Sequence, residues 1–123
     1  MLPKSLSTSR SWILPLIIFF ASFILRLCLI SKGPYHLDCL TLALNAQKAL
    51  VEHQLPYQFG TGYPLTVLTG ALFVGLAKIL SINDSVFAVN LMSVWLSSFS
   101  VLIFFLFIKN IFNTLTALLC ALA

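Results

Sequence analysis

The sequence predicts an all-α, polytopic membrane helical bundle. It has three full transmembrane helices, part of a fourth, and an interfacial amphipathic helix between the first and second. Three observations predict this class. Of 123 residues, 60% are hydrophobic and 8% charged, whereas a soluble domain carries about 25% charged side chains. Seven basic and three acidic residues are too few to solvate a globule of this length. The apolar residues also fall in long runs, and a helical span needs ~20 of them.

Residues 1–11 form a short polar tail carrying Lys4 and Arg10. Residues 12–30 are the first apolar run, interrupted by one charge, Arg26. The run exceeds the core of a cleaved signal peptide and no small-x-small site follows, so it reads as a retained signal anchor. At ~1.5 Å per residue it reaches ~28 Å, close to the hydrocarbon thickness.

Residues 31–63 are the long polar segment. Lys32-Gly33-Pro34 is a turn signal, and Asp38 stands where a helix N-cap would. From about 38 to 53 the pattern is amphipathic: Thr41, Asn45, Lys48 and Glu52 make a polar stripe, while Leu40, Leu44 and Val51 share another face. Such a helix between two spans is expected to lie along the membrane interface. Residues 55–63, with Pro56, Gly60, Gly62 and three aromatic rings, read as an irregular loop at headgroup level.

Residues 64–82 form the second span, opened by Pro64, whose missing N–H costs nothing at the first helical position. Thr66, Gly70, Ala71 and Gly75 put small residues four apart, which allows close helix packing. Asn83-Asp84-Ser85 is a turn with capping residues, and residues 86–108 are the third span. Residues 114–123 begin a fourth. Nine apolar residues there cover roughly 14 Å, less than half the hydrocarbon core, so the sequence reads as a fragment of a longer protein.

Lys4 and Arg10 put the tail in the cytoplasm and residues 31–63 outside, although Lys32, Lys48 and Lys109 oppose this. A short basic anchor fits a bacterial inner membrane. The basic residues are scattered singly, which gives no support for nucleic-acid binding. Cys28, Cys39 and Cys120 are odd in number and lack CxxC spacing, so neither a disulfide framework nor a zinc site is expected. No paired acids stand at metal-ligand spacing, and no metal or cofactor is expected.

The residues able to carry chemistry are Arg26, His36, Asp38 and those of the 58–64 loop. Arg26 either snorkels to the outer headgroups or faces inward, where its planar fork suits a lipid phosphate. Asp38 suits both an N-cap and a general base, and the two roles are compatible. His36 is either an interfacial side chain or a substrate contact. Lys48 and Glu52 make an ordinary i, i+4 pair.

The order of these features is distinctive: Leu25-Arg26-Leu27 closing the first span, a short turn, Asp38 opening a helix, then Gly62-Tyr63-Pro64-Leu65 opening the second span. It resembles the N-terminal region of the GT-C superfamily of membrane glycosyltransferases, which includes the protein O-mannosyltransferases and the aminoarabinose transferases. The resemblance implies a polyprenyl-phosphate-linked sugar as donor and Asp38 as catalytic base. Arg26, with His36, Gln58 and Tyr63 as polar contacts, would bind substrate. Where many relatives carry a second acid, this sequence has Cys39 and Thr41. The implied partners are membrane lipid, the lipid-linked donor and the remainder of the enzyme's own chain, without which the 123 residues are expected to be inactive. The alternative is a small non-catalytic membrane protein, an assembly subunit or transporter unit. The small-residue faces and the missing second acid favour that alternative.

Overall fold

The computed structural model describes residues 12–34, 37–55 and 64–122. These residues hold five helices and no strand: α1 (Ile13–Cys28), α2 (Leu37–Glu52), α3 (Pro64–Ile79), α4 (Ser85–Ile111) and α5 (Thr114–Leu122). The all-helical expectation therefore holds, but the lengths differ from it. Only α4, with 27 residues, is long and apolar enough to cross a membrane. Just 22% of its apolar window is buried inside the protein, the opposite of a core helix in a soluble domain, which would be mostly covered. Helices α1 and α3 are apolar but have 16 residues each, about 24 Å at the helical rise.

Helix α1 ends at Cys28, ahead of the turn at Lys32-Gly33-Pro34. Helix α3 is closed by a Schellman motif. Ile82 N–H donates to Ala77 O at 2.8 Å, Ser81 N–H donates to Lys78 O at 3.0 Å, and Ser81 takes φ 62°. That left-handed position is usually glycine. Asp84 then caps α4: its Oδ1 accepts from Val86 N–H at 2.9 Å and Phe87 N–H at 3.0 Å. Asn113 does the same for α5, accepting from Thr116 N–H at 2.9 Å. Each cap satisfies amides that a helix start leaves unpaired.

The chain divides into two compact units. One spans Leu29–Val94. Its core is built from small residues: Ala43 and Ala46 of α2, Ala71, Val74 and Ala77 of α3, and Ala88, Val89 and Met92 of α4. The small-residue spacing on α3 serves this packing. A Cβ on Gly70 would lie 3.0 Å from the Ala46 Cβ, and one on Gly75 would lie 3.5 Å from Leu50 Cδ1.

The other unit holds α1, the second part of α4 and α5. Its core is aromatic. The Phe19 ring lies 4.8 Å from Phe99 and 5.8 Å from Trp95, and Phe23 lies 5.0 Å from Trp95. Phe105, Ser98 and Ala117 are fully buried.

In both units hydroxyls on apolar helices turn back onto their own backbone. Thr69 donates to Leu65 O, Ser93 to Val89 O and Ser100 to Leu96 O, at 2.8, 3.2 and 3.0 Å. Such i−4 bonds satisfy a hydroxyl where water is absent.

Candidate functional site

The Leu29–Val94 unit contains Asp38. Helix α2 begins at Leu37, one residue earlier than expected, so Asp38 lies in the first turn and not at the cap. Its carboxylate is exposed there, and a negative charge is favoured at a helix start by the macrodipole. Cys39, half-buried, is its neighbour.

The segment leading to Asp38 is tied down by a side chain the sequence reading missed. Asn90, six residues into α4 and 3% exposed, donates through Nδ2 to Ser31 O at 3.0 Å and to Gly33 O at 3.1 Å. Gly33 N–H in turn donates to Ser31 Oγ at 3.1 Å. A single asparagine in an apolar run was the available signal: an amide in a membrane helix is costly unless it finds partners.

Arg26 belongs to the other unit. Its guanidinium folds back one turn and donates from Nη1 to the Ser22 hydroxyl and to Ser22 O. Side chains on a helix lean toward its N-terminus, which makes the i−4 residue the natural partner. Arg26 and Ser22 form the polar end of an apolar groove of about 470 Å³ between α1, α4 and α5, lined also by Ile18, Val101 and Leu118. The guanidinium therefore turns along the helix toward its N-terminus.

His36, Gln58 and Tyr63 lie outside the described residues. Among the described residues no three His, Cys, Asp or Glu side chains are grouped as a metal ion would require.

Comparison with known families gives a match over most of the described helices. The model of the protein O-mannosyl-transferase TMEM260 N-terminal domain matches residues 46–121, more than half of the sequence. The chain belongs to this family. The family is that of a glycosyltransferase N-terminal region, in line with the resemblance to protein O-mannosyltransferases in the residue order above. The matched stretch takes in the last turns of α2 and all of α3 and α4, with Asn90 inside it. Arg26, His36 and Asp38 precede it, while Gln58 and Tyr63 fall within it. No curated protein and no solved structure matches the chain.

Proposed function

We propose that the chain is the N-terminal part of an integral membrane glycosyltransferase of the GT-C type. In this reading it moves a sugar, mannose by the family's description, from a polyprenyl-phosphate carrier to an acceptor hydroxyl at the outer face of a bacterial inner membrane. The observation that carries the reading is the family match over residues 46–121. The largely uncovered apolar surface of α4 supports a membrane setting.

Asp38 is the base. Its carboxylate takes the proton of the acceptor hydroxyl as that oxygen bonds to the sugar C1. The bond from C1 to the phosphate oxygen breaks, and the electron pair leaves with the polyprenyl phosphate. Configuration at C1 inverts. The exposed place of Asp38 in the first turn of α2 leaves its oxygens open to an acceptor. Arg26 supplies the cation for the lipid phosphate, with His36, Gln58 and Tyr63 as polar contacts. No metal or other cofactor enters the scheme.

The test uses the full protein in membranes, with radiolabelled polyprenyl-phosphate mannose and a Ser/Thr peptide. Asp38→Asn keeps the shape and removes the base, so turnover should fall by ~10²–10⁴. Wild-type turnover by that variant would overturn the assignment.

A further inference from the structure

We infer that Asn90 is a positioning residue for the outer-loop acid: its side-chain amide clamps the segment after α1 and so sets where the first turn of α2, with Asp38, stands. The inference rests on the reading of Asp38 as base.

The geometry is specific. One buried amide nitrogen spends both of its hydrogens on two backbone carbonyls of the same short segment, Ser31 O and Gly33 O. Those partners lie 59 and 57 residues away in sequence, so the bonds fix a tertiary relation and not a local turn. The clamped segment has its own internal bond, Gly33 N–H to Ser31 Oγ, which makes Ser31–Gly33 one small rigid piece. Four residues after Gly33 the chain enters α2, and Asp38 is the second residue of that helix.

Around the clamp the scaffold is close-packed. Ala88, Val89 and Met92 of α4 sit in the core with Ala43 and Ala46 of α2. The middle of α2, from Leu42 to Leu50, is thus held by packing, and Ser31–Gly33 is held by Asn90. A carboxylate oxygen cannot replace this amide, because both partners are acceptors, and a hydroxyl has only one hydrogen for the two. Such control matters because a misplacement of ~1 Å far from the chemistry can cost ~10²-fold in rate.

The experiment uses the full protein in membranes. Asn90→Asp keeps the shape but sets a carboxylate against two carbonyls, while Asn90→Ala simply removes the clamp. Three readouts are taken: kcat and donor KM in the transfer assay, the rate of maleimide modification at Cys39, and the same rate at Cys120. Both cysteines are followed by mass spectrometry of their own peptides. Cys120 lies in the other unit and reports general loosening.

The expected result for both variants is a kcat lower by ~10–10²-fold with KM within about twofold of wild type. Modification of Cys39 should rise at least about fivefold, with Cys120 unchanged. A merely structural role would raise both cysteine rates together. Wild-type kcat and Cys39 rate in either folded variant, or a joint rise at both cysteines, would overturn the inference. If Asn90→Asp does not accumulate, Asn90→Ala decides alone. The parent reading fails separately, when Asp38→Asn keeps full turnover; the Cys39 rate still reports the clamp in that case.

Discussion

Two glycines on α3, five residues apart, should respond to the same substitution with opposite signs. An added Cβ at Gly70 would sit 3.0 Å from the Ala46 Cβ, with Val89 Cγ2 at 3.8 Å. Carbon pairs rest at ~3.5–4.0 Å. The Ala46 Cβ is fixed to the α2 backbone, so the two helices must part by several tenths of an ångström. Overpacking of this kind costs ~1–3 kcal/mol. Replacing glycine by alanine in a helix returns ~1 kcal/mol. Gly70→Ala should therefore be destabilising by ~1 kcal/mol. At Gly75 the nearest atom is Leu50 Cδ1 at 3.5 Å. That is ordinary contact with the end of a flexible side chain, so only the helix term remains and Gly75→Ala should stabilise by up to ~1 kcal/mol.

The decisive variant is the swap Ala46→Gly with Gly70→Ala, which moves the methyl group across the interface. The swap should recover most of the Gly70→Ala loss, with a coupling of at least ~1 kcal/mol in the double-mutant cycle. Thermal unfolding of the full protein in one detergent, followed by circular dichroism, reads all four species. A higher Tm for Gly70→Ala than for wild type would refute the packing argument. So would single-mutant effects that add within ~0.5 kcal/mol.

Three further outcomes follow from the same unit. Ser81→Gly relieves a left-handed position that costs an L residue ~1–2 kcal/mol, and should raise stability by ~1 kcal/mol in the same assay. Asp84→Ala removes the cap on α4 and should cost ~1 kcal/mol, with faster amide exchange at Val86 and Phe87 as its local signature. Asp84→Asn, which keeps an accepting oxygen, should retain most of that stability.

Much of the helical order was legible because it depends on local pattern. Apolar runs, the Asp84 cap and the small-residue spacing on α3 can each be read within a few residues. The ends of α1 and α3 were less legible. Hydropathy continues past Cys28 and Ile79, while the helices end there, α3 through the bonds that close around a left-handed Ser81. The local setting of Asp38 at a helix start was legible, one residue from the cap. For Arg26 the pattern leaves both an outward and an inward direction open, and the bond to its i−4 neighbour Ser22 is a feature of the folded helix. Asn90 could not be found from periodicity, because its partners lie in a loop more than fifty residues away.

Helix α2 shows why a polar stripe alone misleads. Its Leu40, Leu44 and Val51 share a face, and the same face includes Leu37. All four are exposed, Leu37 by 80% and Val51 by 61%. The residues turned inward are Ala43, Ala46 and the polar Asn45. The cause lies on α3. Gly70 and Ala71 let the two backbones approach so closely that nothing larger than alanine fits opposite them. Close approach then selects small side chains beside Gly70 and leaves Leu37, Leu40, Leu44 and Val51 outward, whatever their hydrophobicity. In water an outward row of four aliphatic side chains would be unfavourable, at ~25 cal/mol for each Å² left wet. Against acyl chains it costs nothing, because lipid is as apolar as leucine. The packing of Gly70 on Ala46 and the outward leucines are thus one feature, and it supports setting α2, with Asp38 at its start, against the membrane.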